Sequence, residues 1–253
     1  MGVSGASGEA WAAVVVLASL SAATTWIGVL VALRIGTRPR ALAIGIGFSA
    51  GIMVVIAAVE LVPEASRSGD LTTVLVGVGL GAGSLAVLHL VLPHTHLLDE
   101  SGGDDAVRLS SAYLVAVGLI LHDFPEGFAM ANSYVATPRL GVLVGVAIAL
   151  HNIPEEFAMA APAVGLRRRG FLVRAAVLSA LAEPAGAIVG LVGVEVYPAL
   201  NAGFLAFAAG AMVFVAIHEL YPMARRVRHP GGFAAGAAAA VIVYALLQLV
   251  IIG

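Results

Sequence analysis

The sequence predicts an all-α membrane protein of eight transmembrane helices with inverted repeats. Three observations support this prediction. Hydrophobic residues make up 60% of the 253 residues and charged residues only 11%, whereas about 25% of a soluble domain is charged. Apolar stretches near the ~20 residues that cross a bilayer recur eight times, and two pairs of segments repeat each other. The predicted spans are 11–33, 41–62, 71–92, 110–132, 139–161, 171–191, 199–221 and 233–252.

The composition also limits the partners and ligands of the protein. The formal net charge is only −2, so no electrostatic attraction to nucleic acid is indicated, and the lipid bilayer is the expected surrounding. Cysteine is absent, which removes disulfides and thiolate metal ligands together. Any bound metal must therefore be held by imidazole, carboxylate, amide, thioether or water.

The arginines orient the eight spans, because positive residues accumulate in cytoplasmic loops. All 13 basic residues are arginine, and 11 of them fall in loops 1–2, 3–4, 5–6 and 7–8 or at their edges. Only Arg67 and Arg139 fall on the other side. This asymmetry predicts that both termini lie outside and that the loop 93–109 is cytoplasmic. Residues 1–253 are then a single transmembrane domain.

Two internal repeats relate spans that run in opposite directions. Residues 48–65 of span two align with residues 207–224 of span seven and agree at ten of eighteen positions. Residues 122–131 of span four align with residues 151–160 of span five and agree at seven of ten positions. In the eight-span arrangement both repeats have inverted topology, which is common in secondary transporters.

The second repeat contains the residues that indicate chemistry. Positions i and i+4 of a helix share a face, so His122 lies above Glu126 and His151 above Glu155, with Asp123 and Asn152 beside them. Two antiparallel helices can bring these imidazoles, carboxylates and an amide together at mid-membrane. Each buried acidic residue costs about 2.5–3.5 kcal/mol of insertion free energy, so a role that merely joins helices is the weaker explanation. The pattern predicts a site for a first-row metal between helices 4 and 5.

These motifs resemble the ZIP family of divalent metal transporters, in its short bacterial branch. The family pattern, His-Asn-x-Pro-Glu-Gly in span four, a similar motif in span five and Glu-Pro-x-Gly-Ala in span six, corresponds here to His122–Gly127, His151–Glu156 and Glu183–Ala187. The resemblance implies transport of divalent transition-metal ions, with zinc the first choice, into the cytoplasm across the bacterial inner (plasma) membrane. Iron, manganese, cobalt and cadmium suit the same ligands. No separate cofactor is implied, and a homodimer is compatible with the resemblance.

The resemblance also implies roles for individual residues. The family site can hold two adjacent metals, so Glu126 and Glu155 would bridge them, with His122 and His151 on one side. Asp123, Asn152 and Glu183 would then serve the other metal.

Two positions depart from the family pattern. Asp123 replaces the usual Asn, which adds a negative charge that can favour harder ions or a filled second metal position. Glu156 replaces the usual Gly and points about 100° away from Glu155 on the helix. It is compatible with a ligand, a gate or a partner for another helix, and the sequence does not choose among these.

Further candidates for the ion path lie near helix ends and in a loop. His218 and Glu219 fall at the predicted inner end of span seven, where they can receive ions leaving the centre, and Glu60 falls near the outer end of span two. His94 and His96 fall in the acidic 3–4 loop, where they can collect metal. Charged groups at helix ends and in loops are also commonly just solvated.

Two other functions compete with transport. The same ligands in a membrane-embedded metalloenzyme would hold a metal that activates water. The chain has no His-Glu-x-x-His motif and no large soluble loop that would supply a substrate pocket. A structural or sensory membrane protein is the third class, and it leaves the duplicated acidic motifs unexplained. The sequence therefore favours a transporter rather than an enzyme.

Overall fold

The computed structural model describes residues 7–36, 38–91, 122–165 and 169–253. These residues form helices joined by short links, and none of them forms a strand. Seven of the helices they form are long and apolar enough to cross a membrane. The predicted all-α membrane fold is therefore confirmed.

The helices are numbered here in chain order. They are α1 Gly8–Ile35, α2 Pro39–Ser68, α3 Leu71–Val91, α4 122–136, α5 Pro138–Gly165, α6 Arg169–Val196, α7 Pro198–Val227 and α8 Pro230–Ile251. The loop 93–109 and the first part of the predicted span 110–132 lie outside the described residues.

Most of the described helix ends lie beyond the predicted span limits, so the helices are longer than the apolar segments that predict them. The largest differences are at the ends of α2 and α7, which continue to Ser68 and Val227 rather than ending near residues 62 and 221. Hydropathy marks only the apolar part of a helix. The polar last turns of both helices remain helical because each continues the backbone hydrogen bonding of the turn before it.

Both long helices contain a π-helical segment at the same place in the repeat. The segments are Ile56–Leu61 in α2 and Ala216–Leu220 in α7, and Pro63 and Pro222 follow each of them two residues later. A proline inside a helix clashes with the carbonyl four residues earlier, and a wider turn at that point relieves the clash. The two segments end 159 residues apart, at Leu61 and Leu220, as in the sequence repeat, so the repeat is present in the backbone as well.

The repeat continues in the way the long helices pack. Helix α2 packs against α8 and α7 packs against α3. A Cβ added to Gly236 would overlap the backbone of Ile44, and one added at the equivalent Gly77 would overlap the backbone of Gly203. Such close backbone contact through small residues is typical of membrane helices. The two helix pairs are therefore equivalent units, while α1 contacts both α5 and α6.

Two short links outside the spans have specific capping residues. Thr137 separates α4 from α5, and its Oγ1 accepts a hydrogen bond from the backbone N–H of Leu140 at 3.3 Å, with Pro138 at the first helical position. Asp70 caps α3 by accepting from the backbone N–H of Thr73 at 2.7 Å. Hydrogen bonds from the side chain and backbone of Thr73 hold the pKa of Asp70 below its ordinary value. The one-residue link at Thr137 makes α4 and α5 sequential neighbours of opposite direction.

Candidate metal centre

The two histidines and two glutamates of α4 and α5 meet across the helix pair. The Nε2 atom of His151 lies 2.8 Å from Oε1 of Glu126 and 3.4 Å from Oε2 of Glu155. The Nε2 atom of His122 contacts Oε1 of Glu155. Residue 122 thus meets residue 155 while residue 126 meets residue 151, which is the pairing of antiparallel helices. The structure brings together the four side chains that the sequence places on two facing stripes.

This centre is buried and its ligand atoms converge. All four side chains have at most 2% of their surface exposed. One ligand atom from each of His122, Glu126 and Glu155 lies within 4.8 Å of the others. Nitrogen and oxygen atoms of this kind are zinc ligands, so these side chains have the chemistry and the proximity to hold a divalent metal ion.

The surroundings of His151 fix which ring nitrogen faces the centre. Its Nδ1 atom lies 3.2 Å from the carbonyl oxygen of Ala147, which can only accept, so Nδ1 donates. The backbone carbonyl of His151 accepts a hydrogen bond from Ser49 of α2 at 3.1 Å. In the neutral ring Nε2 then keeps its lone pair and faces the carboxylate of Glu126. Two acceptors at 2.8 Å need a proton, on the ring or on the carboxyl group, or a metal ion between them.

The second group of predicted residues, those expected to serve a second metal, is Asp123, Asn152 and Glu183. Two of them form hydrogen bonds with different serines. Asn152 donates through Nδ2 to Oε2 of Glu183 at 3.0 Å and to Oγ of Ser21 at 3.1 Å. Ser179 of α6 donates to Oδ2 of Asp123 at 2.6 Å. Asp123 therefore does not share a hydrogen-bond partner with Asn152 among the described residues. The second group consists of two separate pairings beside the His-Glu centre.

Neither serine was predicted from the sequence. Ser21 lies in α1 and Ser179 in α6, 158 residues apart, and their partners Asn152 and Asp123 are equivalent in the α4–α5 repeat. The contacts are thus two copies of one arrangement. The inverted repeat could have identified both serines if it had been extended from spans two and seven to spans one and six.

Glu156, whose role the sequence left open, contacts another helix. Its Oε1 atom contacts the hydroxyl of Ser179 in α6, and only 3% of its surface is exposed. A Cβ added to Gly28 of α1 would overlap the Cβ of Glu156, so α1 leaves room for this side chain. Glu156 therefore lies between α1 and α6 on the side of Asp123.

Two glycines of the motifs bring α4 and α6 into backbone contact. A Cβ on Gly127 would overlap the carbonyl oxygen of Glu183, and a Cβ on Gly186 would overlap that of Phe124. The two helices run parallel here, since 123 meets 179 and 127 meets 183. This close approach sets Glu183 and Ser179 beside the polar face of α4.

The further candidates lie in different surroundings. Oε2 of Glu219 lies 4.0 Å from Nδ1 of His122, so Glu219 approaches the centre from α7. His218 is exposed and stacks on Phe214, with ring centroids 4.2 Å apart. Glu60 accepts hydrogen bonds from Tyr244 and, at 3.3 Å, from Gln248 of α8. His94 and His96 lie outside the described residues.

Several buried oxygens around the centre have no hydrogen-bond partner among the described residues. They are Oε2 of Glu126, Oε2 of Glu155, Oε2 of Glu156, Oδ1 of Asn152 and Oε1 of Glu183. Buried polar atoms are normally paired, and unpaired ones call for an ion, a proton or water. All five atoms are oxygens, which a proton, a water molecule or a bound cation can each satisfy.

The fold and the site together define a multi-pass membrane protein with a buried cluster of metal-ligating side chains. The profile described as ZIP Zinc transporter matches residues 93–251. The chain is 37% identical to zinc transporter GufA of Myxococcus xanthus over 71% of this chain and 70% of that protein. It is 34% identical to zinc transporter ZupT of Enterobacter sp. (strain 638) and to that of Escherichia coli O127:H6 over 84% of this chain and 86% of each relative. The chain belongs to the ZIP family, and it is a transporter rather than an enzyme.

Proposed function

We propose that this protein carries zinc ions across the bacterial inner membrane into the cytoplasm through the centre formed by His122, Glu126, His151 and Glu155. The observation that carries the proposal is the convergence of these four buried side chains on two antiparallel helices. The names of the curated relatives, zinc transporters GufA and ZupT, support the choice of zinc.

The geometry supports zinc coordination by imidazole and carboxylate groups. Zinc bonds of about 2.0–2.2 Å in a tetrahedral site place ligand atoms about 3.4 Å apart. The ligand atoms of His122, Glu126 and Glu155 lie within 4.8 Å of one another, so small side-chain adjustments suffice to place them at the corners of a tetrahedral site. Oxygens of Glu126 and Glu155 that lack a hydrogen bond are free to complete the coordination. In this proposal Asp123, Asn152 and Glu183 stabilise a second ion.

Glu219 is the residue we propose as the next ligand on the way to the cytoplasm. It lies 4.0 Å from His122 and is partly exposed, so it links the buried centre with solvent or the next segment of the path. His218 beside it is exposed and can act after Glu219. Glu60 of α2 occupies the repeat position equivalent to Glu219, and we propose that it contacts the ion on the outer side of the membrane. His94 and His96 are proposed as metal-collecting groups of the cytoplasmic loop 93–109.

Uptake of zinc into proteoliposomes tests the proposed function. We expect liposomes containing the protein to accumulate zinc and empty liposomes not to. The reason is that the protein provides metal ligands within the bilayer, whereas lipid alone provides none. Competition by iron, manganese, cobalt and cadmium, each with and without a pH gradient, then measures metal preference and coupling. Absence of protein-dependent zinc accumulation under every gradient would contradict the proposal.

Labelling of introduced cysteines tests the proposed orientation. The chain has no cysteine, so single replacements report one position each. We expect Gly253→Cys to react with a membrane-impermeant maleimide on intact cells, and Arg226→Cys to react only after the membrane is opened. The physical reason is the arginine asymmetry between the two sides. The reverse pattern would show that the termini lie in the cytoplasm.

The proposal also includes the domain organisation and the oligomeric state. Residues 1–253 act as a single transmembrane transporter domain, and two copies form a homodimer in the bilayer. Cross-linking in native membranes, followed by mass determination of the product, checks the dimer.

A further inference from the structure

The described residues leave an apolar cavity of about 650 Å³ between α3, α4 and α7. Its walls include the rings of Phe124 and Phe128 from α4 and of Phe204 and Phe207 from α7. The ring of Phe128 makes edge contacts with both α7 rings, at centroid distances of 5.4 and 5.8 Å. Ligand pockets commonly have volumes of about 300–1,000 Å³ and mostly apolar walls. The cavity thus has the size and lining of a ligand site, and none of the four side chains of the His-Glu centre lines it.

The cavity extends along one half of α3. Its lining begins at Asp70, which caps this helix, and reaches Leu80. Ten helical residues rise about 15 Å, and the hydrocarbon core of a bilayer is about 30 Å thick. Because the membrane-crossing part of α3 begins at Leu71, the cavity lies in the leaflet on the side of the α2–α3 link. Its depth therefore matches a single acyl chain of a phospholipid.

The cavity opens towards the surrounding lipid. Val76 and Leu80 of α3 line it and have 53% and 62% of their surface exposed. On the α7 wall, a Cβ added to Gly203 would meet only Cγ2 of Thr73, at an ordinary contact distance of 3.6 Å, among the described residues. Lipid tails are as apolar as leucine side chains. An acyl chain can therefore enter from the bilayer without passing a polar barrier.

A helix of another protein is too wide to be the occupant. An α-helix with its side chains is about 10–12 Å across, so a length of about 15 Å takes up roughly 1,200–1,700 Å³. This is about twice the 650 Å³ of the cavity or more. A hydrocarbon chain without side groups is much thinner. The volume therefore favours a lipid chain over a segment of a second protein.

The polar lining residues lie together at one end of the cavity. They are Asp70, Thr72 and Thr73, at the start of α3, where the apolar part of the helix begins. The side chain of Asp70 is exposed, and its carboxylate attracts an ammonium group and repels an anionic one. The cavity is thus apolar in the depth of the leaflet and acidic at the level of the lipid headgroups.

We propose that this cavity binds one acyl chain of a phospholipid with an ammonium headgroup, such as phosphatidylethanolamine, whose amine faces Asp70. The chain packs against Phe124 and Phe128. Each ring follows a ligand of the His-Glu centre by two positions, His122 or Glu126, and so points about 200° away from it around α4. The bound lipid therefore supports, from behind, the helix that presents the metal ligands. This inference does not depend on which ion is transported.

Photochemical cross-linking on the purified full chain tests the lipid site. The protein is reconstituted in phosphatidylethanolamine liposomes that contain a small fraction of an analogue with a diazirine in its acyl chain. We expect the label to be enriched at Leu80 and Phe124 over Leu249 of α8, which is 70% exposed and contacts bulk lipid only. Gly203→Leu should abolish the enrichment by filling the cavity. Gly79→Leu makes the same change where nothing lies within 4 Å of the added Cβ and should label like the wild type.

A second filling variant and a second readout separate loss of the site from misfolding. Val76→Trp fills the cavity from the α3 wall and should also abolish the enrichment. In detergent, added phosphatidylethanolamine should raise the thermal midpoint of the wild type and of Gly79→Leu, but not that of Gly203→Leu or Val76→Trp. Label distributed evenly over all lipid-facing helices would overturn the proposal, as would unchanged enrichment in either folded filling variant. Cross-links between two protein copies at Leu80 in place of lipid label would likewise overturn it.

The headgroup preference has its own variant. Asn caps a helix as well as Asp does, so Asp70→Asn keeps the start of α3 and removes only the charge. We expect the wild type to be stabilised more by phosphatidylethanolamine than by phosphatidylglycerol, and Asp70→Asn to lose this difference. Equal stabilisation of the wild type by the two lipids, or an unchanged difference in Asp70→Asn, would show that Asp70 does not select the headgroup and would overturn that part of the proposal.

Discussion

Glu155→Gln is expected to abolish zinc uptake into proteoliposomes while the protein stays folded. The carboxylate of Glu155 contacts His122 through Oε1, and its Oε2 lies 3.4 Å from Nε2 of His151. It is therefore the side chain that joins the two imidazoles of the centre. An amide of the same size keeps the shape but removes the negative charge and one metal-binding oxygen.

The expected loss is large because a ligand is removed rather than a supporting residue. Mutation of residues that only support metal ligands already lowers affinity by about 10–100-fold, so Glu155→Gln should lower zinc affinity by more than about 100-fold. Isothermal titration with zinc measures the affinity and uptake of the radioactive isotope measures transport. Size-exclusion chromatography confirms that the variant is folded.

The matched control for this variant is Glu195→Gln. It makes the same chemical change at an exposed position near the end of α6, away from the centre, and should transport zinc at the wild-type rate. If Glu155→Gln and Glu195→Gln take up zinc equally well, the His-Glu centre is not the transport site. The proposed path through α4 and α5 would then have to be abandoned.

The fold and the His-Glu centre could be predicted because each rests on a local pattern. Apolar length fixes a membrane helix, and the i, i+4 spacing places His122 over Glu126 regardless of what surrounds them. The repeat of this pattern in α5 then requires the two pairs to meet when the helices run antiparallel. The observed contacts between residues 122 and 155 and between 126 and 151 follow from that geometry alone.

The contacts of Glu156, Ser21 and Ser179 could not be predicted in the same way. They depend on how α1 and α6 are rotated against α4 and α5, and that rotation is set by packing between helices distant in sequence. A serine in an apolar helix has no periodic signature that separates a polar contact from solvent or backbone bonding. The π-helical turns before Pro63 and Pro222 escaped prediction too, because proline predicts a break but not its form.

The inverted repeat explains why the site has two similar halves that are not identical. Ser21 with Asn152 and Ser179 with Asp123 are equivalent contacts, so the fold supplies one binding arrangement twice. In one half the serine contacts the neutral amide of Asn152. In the other half the serine contacts the carboxylates of Asp123 and Glu156. The difference in charge between the halves comes from these side chains rather than from the backbone, so it can change without changing the fold.

The backbone contact between α4 and α6 gives the second large expected effect, which Gly186→Ala tests. An added methyl group at this position overlaps the carbonyl oxygen of Phe124. A backbone atom cannot rotate away as a side chain can, so α6 must move away from α4. Ser179 and Glu183 lie on the same helix and would move with it, which separates them from Asp123 and Asn152.

We expect Gly186→Ala to destabilise the protein by about 1–3 kcal/mol, as overpacking does, and to lower zinc uptake by about 10-fold or more because the residues that support the site are displaced. Gly79→Ala is the matched control, since nothing lies within 4 Å of the added Cβ in α3. That change should leave uptake intact and can raise helix stability by up to about 1 kcal/mol. Thermal unfolding in detergent and uptake in liposomes measure both variants. Equal midpoints and equal uptake for the two would show that α4 and α6 do not depend on this glycine for their spacing, and that the polar side chains of α6 are positioned by other contacts.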